Sequence, residues 1–341
     1  MQKKIAVFIM IVCLFTTFHH TSAATESKEL SNRKTDTVQY AISVPVTNVW
    51  RLPTKTRKID AISIAAKPDM AKWTKGLTVA EKNGLIGRTD TQALYGDRVE
   101  VLKSSGNWHY IAVTDQFNKG QAKGYEGWVP KAHVKAYSPP SGNNSEIAIV
   151  TAKIASLYNE PKLNDKYKFI DISYTTILEV VKEERDWLQV QTKTDGVKYV
   201  RKKDVKVYAD FESIPKPTQQ DLVDSAKQYV GLPYLWAGVS AYGFDCSGLV
   251  YSVYKNHGIL IPRDSSVQAT YGTAVKRKDL QPGDLMFFAH NKGKGNVYHV
   301  SMYIGDGKMV HAPNSSKKVE IVSINLGTYK TNYAGARRYL K

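Results

Sequence analysis

The sequence predicts an α+β chain: two small β-barrels, then a larger unit in which helices precede an antiparallel sheet. Three observations carry this. Two successive segments repeat one pattern of short strands with period-2 alternation. Two proline- and polar-rich breaks, Ser138–Ser145 and Ser213–Thr218, divide the chain into three parts. The last part opens on helical periodicity and closes on a run of strands. A length of 341 residues accommodates two or three domains, and a composition 42% hydrophobic and 11% aromatic, with 21 tyrosines, is that of a folded chain rather than a disordered one.

Lys3 and Lys4 precede an apolar run from Ile5 to Phe18, and Thr21-Ser22-Ala23 offers small residues for cleavage. Residues 1–23 therefore read as an export leader, because the run is shorter than the ~20 residues a spanning helix needs. The mature chain is expected outside the cytoplasmic membrane, secreted or associated with the cell wall, with no membrane span. Cys13 leaves with the leader; Val12 before it is not the small residue that a lipid-attachment site requires.

Residues 24–137 and 146–212 form the repeat. The first copy reads VTNVWRLPT, GDRVEVLKSSGNWHYIAV and GYEGWVPKAHV; the second reads KIASLYNEP, TTILEVVKEERDWLQVQT and GVKYVRKKDV. Val99 and Val101 match Leu178 and Val180, and Trp108 matches Trp187. These segments resemble bacterial SH3-like (SH3b) domains. The first copy carries an insert, roughly Lys55 to Gln92, in which PDMAKWTKGLTVAEKNG predicts one or two short helices ended by Gly84. Inserts of this length in a small barrel are often functional.

The third unit spans 218–341. TQQDLVDSAKQYVG predicts an amphipathic helix capped by Thr218 or Asp221, with Leu222, Val223, Ala226, Tyr229 and Val230 on its apolar face and Gly231 as its stop. After a loop, LPYLWAGVSAYGF, the stretch DCSGLVYSVYKNHG predicts a second helix ended by Gly258. DLMFFA, VYHVSMYIGDG and KMVHAP predict successive strands, the last two joined by a glycine turn.

Removal of the leader leaves Cys246 as the one cysteine, with no partner inside the chain. A lone thiol in an oxidising compartment is a liability, which points to a use. Asp245 precedes the predicted helix and Cys246 opens it. A helix N-terminus favours thiolate over thiol, and its free N–H groups can bind an oxyanion. Ser247 and Gly248 are small and leave room for a substrate. A cysteine hydrolase also needs a base and a group to orient it. Alternation puts His299, Ser301 and Tyr303 on one strand face, and a hairpin would bring His311 beside His299. His257 fits a helix end, His290 a loop, and His109 and His133 the surface of the first barrel. A metal site built from Cys246, His299 and His311 lacks the close ligand pairs typical of zinc, and none is expected.

PYLWAG at 233–238, FDCSGLV at 244–250, IPRDSSVQ at 261–268, LQPGDLMFF at 280–288, HVSMYIG at 299–305 and VHA at 310–312 resemble, in order, the NlpC/P60 family of cell-wall cysteine peptidases. The resemblance implies a papain-like fold, Cys246 as nucleophile, His299 as base and His311 as orienting residue. It also implies hydrolysis of peptidoglycan stem peptides between γ-D-glutamate and a diamino acid, with no cofactor. It places Tyr234 near the nucleophile as an oxyanion donor, Trp236 as a pocket wall, and Asp245, Ser247, Asp264 and Ser265 around the substrate. Asp264 and Ser265 would equally serve to cap a helix beginning at Ser265.

Two SH3b domains ahead of the peptidase resemble the YkfC-like γ-D-glutamyl-L-diamino acid endopeptidases. In that subgroup the first SH3b domain closes one end of the groove, so that only peptides with a free N-terminal L-alanine fit. Asp90 and Tyr125 are the candidates for holding that ammonium group; the subgroup carries glutamate where Asp90 stands. Two other readings follow from the same features: an intact-wall endopeptidase with an open groove, and an idle wall-binding protein. The formal charge of +17, two units of it from the leader, favours polyanionic partners such as an anionic cell wall. The lysines are spread along the chain and no nucleic-acid-binding motif is present, so nucleic acid is not an expected partner.

Overall fold

The computed structural model describes residues 38–138 and 146–340. Residues 1–37, on which the expected leader falls, the break from Pro139 to Ser145 and Lys341 lie outside the described residues.

The first sheet contains β1 (Gln39–Ile42), β2 (Val46–Trp50), β3 (Thr89–Leu94), β4 (Arg98–Ser105), β5 (Trp108–Val113), β6 (Tyr125–Pro130) and β7 (Val134–Tyr137). The second contains β8 (Ile147–Val150), β9 (Ile154–Tyr158), β10 (Lys168–Ser173), β11 (Ile177–Glu183), β12 (Trp187–Thr192), β13 (Gly196–Arg201) and β14 (Val205–Tyr208). Their strand orders, β3-β2-β6-β5-β4-β1-β7 and β10-β9-β13-β12-β11-β8-β14, are the same permutation. The repeated pattern of alternating residues therefore encodes a repeated topology. Each sheet encloses its own apolar cluster: Ile42, Val49, Ile111 and Val129 in the first, Leu157, Ile172, Leu188 and Val200 in the second.

The insert in the first sheet includes helices Met70–Gly76 and Val79–Asn83. Asp69 caps the first through Lys72 N–H, Thr78 and Glu81 form a capping box on the second, and Gly84 follows it. The insert ends earlier than its sequence indicates. Thr89–Gln92 belong to β3, which pairs with β2 and has a counterpart in β10. The strand is buried over nearly its whole length, so its sequence lacks the polar alternation that marks a half-exposed strand. Met70, Trp73, Leu77 and Leu85 of the insert share one apolar cluster with Leu222, Ala226, Tyr229 and Leu249 of the third unit. The insert thus docks the first sheet onto the third unit.

His133 corrects an expectation. It is fully buried, with Nδ1 2.7 Å from Thr47 Oγ1 and Nε2 2.8 Å from the Ala65 carbonyl. Ala65 belongs to the insert, which covers a face that an SH3-like sheet alone would leave in water.

The third unit begins with helix Gln219–Lys227, capped reciprocally by Thr218 and Asp221. The helix stops short of Val230, which is exposed rather than part of the apolar face. A second helix, Cys246–Asn256, is buried along its whole length. After the short pair β15 (Val239–Ser240) and β16 (Gly243–Phe244) comes an antiparallel sheet. It contains β17 (Thr273–Val275), β18 (Leu285–Ala289), β19 (Val297–Gly305), β20 (Lys308–His311), β21 (Glu320–Ser323) and β22 (Tyr333–Arg338), in the order β17-β22-β18-β19-β20-β21. Buried hydrogen bonds tie this unit to both sheets ahead of it. Gln92 Oε1 accepts from Val239 N–H and Ser240 Oγ, Ala241 N–H donates to Ser173 Oγ, and Asn256 donates to the Val150 carbonyl.

Candidate active site

Asp245 is the N-cap of helix Cys246–Asn256: its Oδ1 accepts from Gly248 N–H at 2.6 Å. Cys246 is the first helical residue, as its position after an aspartate predicts. The smallness of Gly248 serves packing rather than substrate access. A Cβ there would sit 1.9 Å from the Gly238 carbonyl oxygen, so only glycine lets the helix lie against the PYLWAG loop. Ser247 is likewise buried, and its hydroxyl meets Asp245 Oδ1 and Arg263. Arg263 is fully buried and donates to both oxygens of Asp245, to Ser247 Oγ and to Thr91 Oγ1. Its charge is compensated on every side, which is what makes a buried guanidinium tolerable. Asp245 and Ser247 therefore build the nucleophile turn through Arg263.

His299 on β19 and His311 on β20 are both buried, with His299 Nε2 2.9 Å from His311 Nδ1. This leaves His299 Nδ1 as the nitrogen available to the Cys246 thiol. Burial pushes the Cys246 thiol up to about 12, with Asp245 acting in the same direction, while the N–H groups of Val300 and Ser247 favour the thiolate. Burial, and then the neighbouring His311, pushes His299 well below the usual imidazole value. The expectation of a standing thiolate is thus corrected. Burial outweighs the helix N-terminus at the sulfur, and at His299 it favours the neutral ring.

A groove of about 680 Å³ collects the remaining candidates. Its wall includes Tyr234, Trp236, Asp245, Cys246, Ser247, Asp264, Ser265, His299, Asp90 and Tyr125; His311 lies behind His299. Burial and the neighbouring Cys246 hold the Tyr234 phenol far above its ordinary range, so its hydroxyl keeps its proton and can donate. Trp236 Nε1 donates to the Thr89 carbonyl at 2.8 Å, fixing the indole against the first sheet. The next residue, Ala237, has φ +67°, a left-handed conformation that costs about 1 kcal/mol for a residue with a Cβ. Asp264 stands at the N-cap of helix Ser265–Gln268, but its side chain makes no cap bond. It accepts instead from the Tyr125 hydroxyl at 2.9 Å. Burial raises Asp264 above the usual carboxylate range. Asp90 lies on β3, and Arg51 grips it, with Nε 2.8 Å from both oxygens.

The first sheet thus contributes to the groove wall through Arg51, Asp90 and Tyr125. Sequence reasoning missed Arg51 and Arg263. Arg263 lies inside IPRDSSVQ, where a charge directly after the apolar run Ile259–Pro262 was a signal. Arg51 adjoins VTNVW with nothing to mark it. A larger hollow of about 880 Å³, lined by Phe117, Leu260 and Tyr271 among others, holds no nucleophile.

A buried cysteine at a helix N-terminus, backed by two histidines on adjacent strands, defines a papain-like cysteine peptidase centre. Residues 231–338 match the profile of the NlpC/P60 family, and residues 150–208 match that of the YKFC SH3b2 domain. The chain is 39% identical to a γ-D-glutamyl-L-lysine dipeptidyl-peptidase of Bacillus cereus, with 100% of each chain covered. It is 33% identical to the Bacillus subtilis protein of the same name, over 88% of this chain and 99% of that one. It also superposes on the crystal structure of an NlpC/P60 family protein from Bacillus cereus with a TM-score of 0.85, at 41% identity, covering 89% of this chain and 100% of that chain. The chain belongs to the NlpC/P60 family and is a cysteine peptidase with SH3b domains ahead of its catalytic domain.

Proposed function

We propose that this peptidase is exported and hydrolyses the bond between γ-D-glutamate and an L-diamino acid in peptidoglycan stem peptides whose L-alanine amine is free. The observation that carries this reading is that the first sheet contributes to the groove wall, where Tyr125 meets Asp264 and Asp90 lines the same cavity. Carboxylates and a phenol there suit a terminal ammonium, and acylation of the amine would remove the charge they pair with. The relatives named for γ-D-glutamyl-L-lysine point to lysine as one accepted diamino acid.

In this mechanism the thiol proton moves to His299 Nδ1 as Sγ bonds to the γ-glutamyl carbonyl carbon. The Tyr234 hydroxyl and the N–H groups at the helix start stabilise the oxyanion. Collapse breaks the C–N bond, and the His299 proton goes to the leaving amine of the diamino acid. Water, deprotonated by His299, then attacks the thioester and releases L-Ala-γ-D-Glu and the thiol. His311 holds His299 in the productive tautomer throughout.

The test compares L-Ala-γ-D-Glu-L-Lys with its N-acetyl form. The free peptide is expected to be cut at least a hundredfold faster in kcat/KM. Equal rates would remove the free-amine reading and favour an intact-wall hydrolase. Loss of wall binding but not of cleavage in Cys246→Ala would remove the catalytic one.

A further inference from the structure

We propose that Glu320 is a positioning residue that extends the catalytic line to Cys246–His299–His311–Glu320, with Lys317 tuning it. This deepens, and rests on, the assignment of His299 as the base. The argument begins with tautomers. If Nδ1 of His299 takes the thiol proton, neutral His299 carries its proton on Nε2 and donates it to His311 Nδ1, 2.9 Å away. His311 must then accept at Nδ1 and carry its own proton on Nε2. That N–H is fully buried and has no well-formed hydrogen bond among the described residues. The acceptor facing it is Glu320 Oε1 at 3.5 Å, the long edge of such a contact. The fold places it there: Glu320 on β21 is the register partner of His311 on β20. Lys317 Nζ lies 2.9 Å from the same carboxylate oxygen.

The consequences follow from charge. When His299 becomes an imidazolium, the positive charge is shared along the histidine pair, and a carboxylate at its far end favours that state. Lys317 opposes it by offsetting the carboxylate. The remaining ring neighbour, Tyr329, whose centroid is 5.1 Å from that of His311, stays neutral because burial raises its phenol. The Glu320 contact tightens as charge develops, as catalytic hydrogen bonds that are long in the resting state do.

The test is the pH dependence of Cys246 alkylation by iodoacetamide, which needs no knowledge of the substrate, run beside peptide cleavage. Reactivity requires neutral His299 to accept the thiol proton, so the rate falls at low pH. In Glu320→Gln the plateau is expected to drop about three- to tenfold and the acid limb to move down by about half a pH unit, because the imidazolium is less favoured. Lys317→Met should move both in the opposite direction. Glu320→Gln is close to isosteric on a partly exposed side chain, and Lys317→Met is an independent second variant should it misfold. A structural role alone would not give opposite shifts. Profiles of both variants superposing on wild type would overturn the proposal. A wild-type Cys246 whose alkylation lacks an acid limb would overturn the base assignment itself, and the proposal with it.

Discussion

The Tyr125 hydroxyl donates to Asp264 Oδ2 at 2.9 Å, joining a strand of the first sheet to the residue that opens helix Ser265–Gln268. A phenol and a carboxylate paired in this way leave further acceptor capacity facing the groove. If they receive the substrate ammonium, Tyr125→Phe should raise KM for the free-amine peptide about tenfold, near the net worth of one charge-assisted hydrogen bond, with kcat little changed. Steady-state kinetics on the free and N-acetylated peptides check this, since the acetylated peptide should be insensitive to the change.

If Asp90 receives the substrate amine, Arg51 is its rival, since Arg51 Nε already bonds both Asp90 oxygens. The pair is half exposed, so its intrinsic worth is small, and its interest lies in competition. Arg51→Met should lower KM for the free-amine peptide about two- to fivefold at low ionic strength, an effect that fades in salt. An increase in KM would mean that Arg51 binds the peptide instead.

Gly248→Ala places a methyl 1.9 Å from the Gly238 carbonyl oxygen and 3.0 Å from Asp245 Oδ1. Neither neighbour can yield, because one is backbone and the other is bound by Arg263. The variant should lose several kcal/mol of stability, roughly the scale of severe overpacking, and with it the geometry of the nucleophile turn. Thermal melting and Cys246 alkylation report the two losses separately.

Three buried histidines make the fold sensitive to acid. Burial depresses His133 and His311 to about 4, and His299 falls well below its ordinary value as well. A folded-state value below the unfolded value of about 6.5 means that the unfolded chain takes up protons first. The stability from burying neutral rings is therefore complete above pH ~6.5 and is lost as pH falls towards 4, by up to about 3 kcal/mol for His133 alone. Melting temperatures from pH 8 to 4 should show this decline, and His133→Gln should flatten part of it.

Much of this fold was legible because it is written in local patterns. The Thr218–Asp221 capping box, the Asp245 cap on Cys246 and the strands around His299 each follow from short-range chemistry. What escaped was set by contacts between distant segments. Thr89–Gln92 form a strand buried on both faces, so period-2 alternation could not mark it. His133 is buried by an insert whose docking no residue near it announces. The groove residues named from sequence share one cavity because their motifs are ordered along the chain. Arg51 and Glu320 come from segments with no motif, and only strand register brings Glu320 to His311. The Cys246 thiol was misjudged because a helix N-terminus is visible in sequence, whereas the depth at which it lies is not.

Two sheets with one strand order, of which only the first carries the docking insert and supplies Arg51, Asp90 and Tyr125, separate two tasks that a simpler peptidase would combine. Under the proposed reading, bond breaking is written after residue 218, while the choice of which molecules may enter is written in the first sheet, at Arg51, Asp90 and Tyr125. Selectivity could then drift by changes at those three positions, while Thr91 of the same sheet, which holds Arg263, would have to stay. A catalytic domain detached from that module should lose more than a gate, because Thr91 on Arg263, Gln92 on the Val239–Ser240 strand and the insert's share of the apolar cluster would go with it.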